Sequence, residues 1–140
     1  MDSNKKVQCI IFRKINGQYE FLILKRIDDI KYWHPVTGKC ELQDKNVLSS
    51  VYREIYEETG MLEQDILRII NVQSFEFEKN NKKIKEFVFG IEVKPNIRIT
   101  FQNNVYVEHT DFRWVSIGKA ISSLCYESQK NAFNKLKQLL

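Results

Sequence analysis

The chain has 140 residues, of which 43% are hydrophobic and 29% are charged, as in an ordinary soluble protein with one domain. Its net charge of +4 suits a small anionic partner but is too small to indicate binding to duplex nucleic acid. The three cysteines lie far apart without a C-x-x-C pair, which argues against a disulfide framework and a zinc site.

The start of the chain lacks the pattern of a targeting segment. Residues 1–6 are mostly polar and lead into an apolar run of only a few residues. Such a run is too short for a secretion signal or a membrane span. We therefore expect one domain over residues 1–140, a cytoplasmic location and no association with a membrane.

Apolar runs and turn signals alternate in the first half of the chain, which predicts strands with short connections. Asn16-Gly17 is a hairpin signal, and Pro35 excludes a helix interior around it. The sequence predicts strands at residues 7–12 and 19–26, a short extended segment at 32–36 and a loop at 37–45. An acidic helix is predicted at residues 46–59.

The second half of the chain is predicted to contain further strands and two helices. Strands are predicted at residues 66–77 and 86–93, with a weaker one at 97–101 and a short one at 112–115. Residues 86–93 alternate as in a strand with one buried face, and Phe75 and Phe77 share a face expected in the core. Helices are predicted at 117–124 and 128–140. The order mixes β and α elements without regular βαβ alternation.

Lysines surround the predicted hairpin tip at Asn80-Asn81. They are Lys79, Lys82, Lys83 and Lys85. The cluster either contacts phosphates or forms a solvated loop, which is the commoner role of such a group.

Glu54, Glu57 and Glu58 occupy relative positions 0, +3 and +4, so a helix places their side chains on neighbouring parts of one surface. Like charges this close weaken an isolated helix by about 0.2–0.5 kcal/mol per pair. A bound Mg²⁺ offsets this repulsion, because it is coordinated by carboxylate oxygens and retains water ligands beside a phosphate substrate. The pattern predicts a metal platform for a polyphosphate, with a solvated acidic surface as the alternative.

The neighbours of the glutamates favour the metal platform. Arg53 lies one turn from Glu57 and can hold its carboxylate in place. Gly60 follows Thr59 where the helix would end. A separate apolar stripe at i, i+3 and i+7 is formed by Leu48, Val51 and Ile55. One face is therefore suited to a core and the adjoining face is acidic.

This stretch resembles the signature of the Nudix family, G-x5-E-x7-R-E-U-x-E-E-x-G-U, where U is a bulky aliphatic residue. The second half matches fully from Arg53 to Met61. Gly38 matches the leading glycine, but Asp44 stands in place of the first glutamate, and eight residues instead of seven separate it from Arg53. We interpret this difference as an insertion of one residue in the loop entering the helix.

Two further segments resemble a bacterial branch of the family that includes dATP and dihydroneopterin triphosphate pyrophosphohydrolases. Residues 32–38, Y-W-H-P-V-T-G, are similar to the W-x-x-V-T-G segment of that branch. Glu108 and His109, followed by residues 112–115, are similar to its E-H-x-x-y-x-W segment. Diadenosine polyphosphate and RNA 5′-end hydrolases of the family usually have P-x-G-G, so the resemblance favours a nucleoside triphosphate.

The resemblance implies an α+β fold in which a mixed sheet is sandwiched between helices (α/β/α). It implies that Glu57 and Glu58 are the main ligands of Mg²⁺, or of Mn²⁺ as a substitute, with Glu54 as a further ligand or base. The Gly38 carbonyl would complete the metal site, and Arg53 would support catalysis. Water would attack a phosphorus within the triphosphate to release a nucleoside monophosphate and pyrophosphate.

Candidates for contacts with the substrate lie outside the helix. Glu108 is the candidate general base, or else an exposed loop carboxylate. His109 either orients the phosphate or base of the substrate or is structural, and Glu41 can reach the metal cluster and the substrate. Tyr32, Trp33 and His34 supply a stacking face for a heterocycle, although Trp33 equally fits a core.

Two other functions fit the same residues. The first is hydrolysis of a dinucleoside polyphosphate, a nucleotide sugar or an RNA 5′ end. The second is a non-catalytic nucleotide sensor, which would be expected to have lost glutamates that this chain keeps. For the favoured function the partner is a small nucleotide or pterin triphosphate, and the chain is expected to be a monomer or a homodimer.

Overall fold

The computed structural model describes residues 4–101 and 108–140, which form seven strands and three α-helices. The strands are β1 (Lys5–Ile15), β2 (Gln18–Arg26), β3 (Asp29–His34), β4 (Val36–Lys39), β5 (Ile66–Lys79), β6 (Lys82–Val93) and β7 (His109–Val115). The helices are α1 (Val47–Thr59), α2 (Ile117–Ser123) and α3 (Glu127–Leu139), and a 3₁₀ turn, Glu63–Asp65, precedes β5. The α+β class is confirmed.

Two hairpin turns lie where the sequence predicts them. Asn16 and Gly17, between β1 and β2, have φ angles of 50° and 79°. Asn80 and Asn81, between β5 and β6, have φ angles of 54° and 62°. Positive φ at both central residues matches the twist of the flanking strands, and Asn and Gly tolerate it best. Local turn chemistry therefore sets both hairpins.

The described strands form one mixed sheet in the order β3-β2-β1-β6-β5. β1 runs parallel to β6 and antiparallel to β2. Residues 12–15 of β1 pair with β2, whereas residues 6–9 pair with β4, and residues 21–26 of β2 pair with β7. β1 and β2 therefore separate towards one end of the sheet. The first arm holds β4, β1, β6 and β5, and the second arm holds β3, β2 and β7.

Helices cover both faces of this sheet. α1 packs on one face, where Val51 and Ile55 join a buried core with Cys9 of β1. α3 packs on the other face, where Phe133 joins a second core with Ile10 of β1. Successive residues of a strand point to opposite faces, so Cys9 and Ile10 belong to different cores. The predicted α/β/α sandwich is confirmed.

Capping defines both ends of α1. The side chain of Asn46 accepts a hydrogen bond from the backbone N–H of Ser49 at 2.9 Å. Gly60 adopts a left-handed conformation with φ of 78°, and its N–H donates to the carbonyl of Tyr56 at 2.9 Å. The predicted limits of this helix are confirmed.

Two predictions of extended structure are wrong in part. Residues 37–39, predicted as loop, belong to β4, because β1 supplies a distant pairing partner. Residues 97–101, predicted as a weak strand, are irregular, although Ile97, Ile99 and Phe101 pack against the α1-side core. Their alternation reflects this packing on one side.

Two predictions of burial also need correction. Leu48 is 41% exposed, and Val47, one turn before Val51, packs against the core in its place. In β6, predicted to have one buried face, Val88 and Ile91 on opposite faces are both fully buried. β6 lies between β1 and β5 with helices on both sides, so both of its faces are covered.

The two C-terminal helices are confirmed near their predicted limits. α2 supplies Ala120 and α3 supplies Ala132 and Leu136 to the second core. No helix among the described residues has both the length and the apolar character that crossing a bilayer requires.

Candidate active site

α1 presents three carboxylates to a cavity of about 490 Å³, here named the carboxylate cavity. One oxygen each from Glu54, Glu57 and Glu58 lies within 4.8 Å of the other two. The helical spacing of three and four residues brings them together, as predicted. Other lining residues include Lys6, Arg26, Thr37, Gly38, Glu41 and Glu108. The carboxylates supply hard oxygen donors, which fit Mg²⁺ or Mn²⁺.

Arg53 connects the acidic cluster to the loop before α1. Its Nη1 donates to Glu54 at 2.9 Å and to Glu57 at 3.2 Å. Its Nε and Nη2 donate to the two carboxylate oxygens of Asp44 at 3.1 Å and 3.0 Å. Nη2 also donates to the carbonyl of Lys39 at 2.8 Å. These charge-assisted bonds orient two of the three carboxylates, and the predicted contact with Glu57 is confirmed.

Asp44 anchors the loop that carries the extra residue. It is 7% exposed and accepts from Ser50 Oγ at 2.6 Å and from the backbone N–H of Glu41 at 2.8 Å. Burial by itself would raise the pKa of Asp44, but hydrogen bonds from Arg53 and Ser50 outweigh it and lower the pKa to about 2. Asp44 therefore stays ionised and reaches Arg53 in spite of the inserted residue.

Gly38 lies directly against the carboxylate of Glu54. A Cβ atom at position 38 would be 2.0 Å from Glu54 Cδ, so only a residue without a side chain leaves room. Burial raises the pKa of Glu54 to about 8, with Arg53 opposing the rise and the charges of Glu57 and Glu58 adding to it. A bound cation would favour the ionised form of this carboxyl.

Glu58 also belongs to a second group at the start of β7. One ligand atom each from Glu58, Glu108 and His109 lies within 4.8 Å of the other two. His109 Nδ1 is 2.6 Å from Glu58 Oε2. When Glu58 is ionised it can only accept, and Nδ1 is then the donor in this contact. Glu108 is an exposed loop residue, but partial burial of its carboxyl, followed by the charge of Glu58, raises its pKa.

A larger cavity of about 860 Å³, here named the large cavity, adjoins the carboxylate cavity. Lys6, Arg26 and Thr37 line both cavities. Lys6 and Thr37 belong to the first arm and Arg26 to the second, so the cavities meet where the arms separate. Other lining residues include His34, Phe75, Phe77, Glu86, Tyr126 and Gln129.

Two cations lie at the junction of the cavities. Burial lowers the pKa of the Lys6 ammonium, and the charge of Glu86 opposes this effect. Arg26 donates to Asp28 from Nε at 2.9 Å and from Nη2 at 3.1 Å, and these bonds use two of the five N–H groups of its guanidinium. The junction therefore offers positive charge directly beside the carboxylates.

The NUDIX domain family profile matches residues 4–136, nearly the whole described chain. The chain belongs to the Nudix hydrolase family. It is 30% identical to the dihydroneopterin triphosphate diphosphatase of Haemophilus influenzae, over 93% of this chain and 84% of that protein.

Solved Nudix structures share the fold. The Ap4A hydrolase of C. elegans, in a binary complex, superposes with a TM-score of 0.81 at 19% identity over 96% of both chains. The dihydroneopterin triphosphate pyrophosphohydrolase of E. coli superposes with a TM-score of 0.78 at 20% identity, over 94% of this chain and 93% of the other.

The structure gathers most predicted site residues of this Nudix hydrolase around the carboxylate cavity. Its lining includes Gly38, Glu41, Glu54, Glu57, Glu58 and Glu108. Arg53 contacts the cluster from the side, and its Nη1 lies 3.2 Å from Glu41 Oε1. Glu41 also accepts a hydrogen bond from Gln43. The catalytic and ligand roles of these residues stay predictions.

Two of the three predicted stacking residues, His34 and Trp33, point in different directions. His34 is 5% exposed, lines the large cavity and contacts Asp29 Oδ2 through Nε2 at 2.9 Å. Trp33 packs against the second core, with Lys25 Nζ 4.8 Å and Arg113 Cζ 5.0 Å from its ring centroid. Neighbouring residues of β3 face opposite sides, which explains the separation.

Phe75 and Phe77, expected in the core, are half-buried and line the large cavity, and of the two Phe75 also packs against the second core. Of the four lysines near the hairpin tip, Lys79 also lines this cavity. The other three are exposed, and Lys83 pairs with Glu76 at 3.0 Å. The hairpin tip is therefore a solvated loop, which is one of the two alternatives predicted for it. The aromatic face of β5 points towards the large cavity.

Several polar residues that line the cavities carry no motif in the sequence, among them Lys6, Arg26, Glu86 and Gln129. The signal for Gln129 is visible, because it shares a helical face with Ala132, Phe133 and Leu136. Glu86 is recognisable as an unusual buried carboxylate only when both faces of β6 are known to be covered. Lys6 and Arg26 lie at strand ends and resemble ordinary surface cations.

Proposed function

We propose that this Nudix hydrolase is a Mg²⁺-dependent pyrophosphohydrolase that cleaves a nucleoside or pterin triphosphate, of the dATP or dihydroneopterin triphosphate type, to the monophosphate and pyrophosphate. The observation that carries the proposal is the junction of the carboxylate cavity with the large cavity at Lys6, Arg26 and Thr37. One cavity supplies hard oxygen ligands, and the other has room for a heterocycle. A triphosphate lying across the junction has its phosphates beside the carboxylates.

Glu57 and Glu58 would be the main metal ligands, with Glu54 as a further ligand and the Gly38 carbonyl completing the site. Arg53 keeps Glu54 and Glu57 oriented through its hydrogen bonds at 2.9 Å and 3.2 Å. When bound by these residues, Mg²⁺, or Mn²⁺ in its place, would neutralise charge on the phosphate oxygens and lower the pKa of the attacking water.

Lys6 and Arg26 would bind the phosphate chain between the cavities. Both line the two cavities, and Arg26 retains N–H donors beyond those used by Asp28. A flexible ammonium and a planar guanidinium are well suited to the several oxygens of a polyphosphate. These contacts hold the substrate without selecting its heterocycle.

Glu108 would accept a proton from the attacking water. It lines the carboxylate cavity, and the combined effect of burial and the Glu58 charge raises its pKa, which makes it a stronger base. His109 would act through Glu58, which its Nδ1 contacts at 2.6 Å. His109 begins β7 of the second arm and Glu108 directly precedes it, so the base and the helical carboxylates approach from different elements.

A relative of known name and the size of the large cavity both support this substrate class. The Haemophilus influenzae protein that is 30% identical is named for its action on dihydroneopterin triphosphate. The volume of about 860 Å³ lies within the usual range for small-molecule sites, and aromatic side chains line it. These observations support a triphosphate with a flat heterocycle.

The decisive experiment measures release of pyrophosphate and of phosphate, with and without Mg²⁺. The panel contains dATP, dGTP, dihydroneopterin triphosphate, a dinucleoside polyphosphate and a nucleotide sugar. Glu57→Gln tests the metal site, and Glu63→Gln is the matched control because Glu63 is exposed on the 3₁₀ turn. We expect pyrophosphate from triphosphates, abolished in Glu57→Gln and retained in Glu63→Gln.

Other results would replace the proposal with a specific alternative. Turnover confined to the dinucleoside polyphosphate or the nucleotide sugar would assign a diphosphate substrate. Nucleotide binding without turnover on any substrate would assign a sensor. Full activity of Glu57→Gln would remove the carboxylate cluster from the mechanism.

A further inference from the structure

We propose that Glu86 and Gln129 make the large cavity selective for a heterocycle with a donor edge, the 2-amino-4-oxopyrimidine ring that guanine and pterins share, over an adenine-type ring. The inference rests on the proposed function, in which the large cavity holds the heterocycle of the triphosphate. Both specificity-determining residues lie outside the carboxylate cluster.

Aromatic side chains lie on both sides of the large cavity. Phe75 and Phe77 stand on β5, at one edge of the sheet, with ring centroids 6.0 Å apart. His34 stands on β3, at the opposite edge, and its ring centroid lies 6.2 Å from that of Tyr126. Aromatic walls accept any flat ring, so they favour a heterocycle without identifying it.

The polar residues between these edges supply the selectivity. Glu86 of β6 is 6% exposed and lines the large cavity. Its Oε2 accepts a hydrogen bond from Gln8 Nε2 at 2.8 Å, and its Oε1 lies 3.9 Å from Lys6 Nζ, beyond hydrogen-bond distance. An ionised carboxylate has about four acceptor positions, so Glu86 is held in place while it keeps acceptor capacity.

Gln129 adds a second buried polar group from the first turn of α3. It is 8% exposed and lines the same cavity. Its Oε1 is buried and, over residues 4–101 and 108–140, has no hydrogen-bond partner. A buried acceptor without a donor costs free energy, so its position at a cavity wall favours a ligand that brings an N–H group.

The two groups complement one edge of a guanine or pterin ring. On that edge a ring N–H lies beside an exocyclic amino group. Glu86 can accept from the ring N–H and from one N–H of the amino group, which leaves the second amino N–H for Gln129 Oε1. Adenine presents a ring nitrogen acceptor in place of the ring N–H, so its lone pair would face the carboxylate. Hypoxanthine keeps the ring N–H but lacks the amino group. Comparison of guanine, hypoxanthine and adenine therefore measures the hydrogen bond from the ring N–H and that from the amino group independently.

The test measures equilibrium binding of the α,β-methylene triphosphates of guanosine, inosine and adenosine to the full chain with Mg²⁺. These analogues resist cleavage between the first two phosphates, so a base preference is measurable even if the proposed hydrolysis fails. We expect the guanosine analogue to bind about tenfold more tightly than inosine and about 10- to 100-fold more tightly than adenosine. Competition by neopterin and by guanosine then distinguishes a pterin from a guanine.

Variants assign the preference to the two residues. Glu86→Gln and Gln129→Leu should each reduce the preference for guanosine over adenosine by about tenfold. Glu92→Gln is the matched control, because Glu92 lies on the same face of β6 and pairs with Arg68 at 2.6 Å away from the cavity. Circular dichroism and thermal melting verify the fold of each variant.

Equal affinities of the wild-type protein for the three analogues would overturn the proposal without any variant. A guanosine preference that survives unchanged in folded Glu86→Gln and Gln129→Leu would also overturn their assignment. Loss of hydrolysis with the preference retained would contradict only the proposed function.

Discussion

His109 Nδ1 lies 2.6 Å from Glu58 Oε2, and the two side chains are only 5% and 3% exposed. His109 begins β7, whereas Glu58 stands in the last turn of α1. The contact joins the acidic helix to the strand preceded by Glu108. An imidazole fixed by burial restricts the rotamers of the carboxylate it contacts, so the distance from helix to strand determines where Glu58 points.

Removal of the His109 N–H should weaken the metal site. We expect His109→Phe, which keeps a ring of similar size, to raise the Mg²⁺ concentration for half-maximal activity about 10- to 100-fold. His109→Asn should recover part of the loss, because its amide can donate to Glu58. Titration of activity with Mg²⁺ checks both, and an unchanged Mg²⁺ requirement in folded His109→Phe would contradict the role.

Gly38→Ala should lower both stability and activity. The new Cβ would lie 2.0 Å from Glu54 Cδ, so the glutamate or β4 has to move, at a cost of about 1–3 kcal/mol. Gly118→Ala is the control, because no atom lies within 4 Å of a Cβ there and α2 favours alanine. Urea denaturation and pyrophosphate release measure the effects, and equal behaviour of the two variants would refute the steric argument.

Asp44→Asn should release Arg53 from the loop. The carboxylate accepts from Arg53 Nε and Nη2 and from Ser50 Oγ, and the amide can satisfy only part of this set. We expect a loss of about 1–3 kcal/mol in the free energy of unfolding, with reduced activity because Glu57 loses its oriented partner. Asp111→Asn, at an exposed position of β7, is the control for the charge change. Wild-type stability in Asp44→Asn would show that the loop does not depend on this ion pair.

The stability of the metal-free protein should fall as the pH rises. Burial raises the pKa of Glu54 from an ordinary 4.5 to about 8, so between these values the folded state binds more protons than the unfolded state. Stability due to the neutral carboxyl is present below the lower value and is lost as the pH rises through the higher one. The slope is at most about 1.4 kcal/mol per pH unit from this group.

Urea denaturation in EDTA at pH 6, 7 and 8 measures this slope. Glu54→Gln should flatten it, and saturating Mg²⁺ should restore stability to the wild-type protein at pH 8. Asp44 adds little slope in this window, because its lowered pKa leaves it ionised in both states. The same slope in wild-type and Glu54→Gln proteins would exclude Glu54 as its source.

Local patterns predict the elements of this fold better than their partners. The turn signals at Asn16-Gly17 and Asn80-Asn81 and the glycine at the end of α1 act through backbone conformation, which neighbouring residues determine. Local patterns do not predict β4 as a strand, because its pairing partner β1 lies some thirty residues earlier in the chain. The alternation at 97–101 misleads, because packing against one core produces the same pattern as a strand.

The sequence by itself determined the acidic helix, its limits, the family and the carboxylates that face one cavity, since helical spacing brings Glu54, Glu57 and Glu58 together whatever surrounds them. Only the tertiary structure decided which residues from other parts of the chain lie beside this helix. The two cavities meet where β1 and β2 separate. Burial at the wall of the large cavity makes Glu86 and Gln129 the candidate specificity-determining residues. Such relationships depend on distances between residues remote in the chain, which no local pattern encodes.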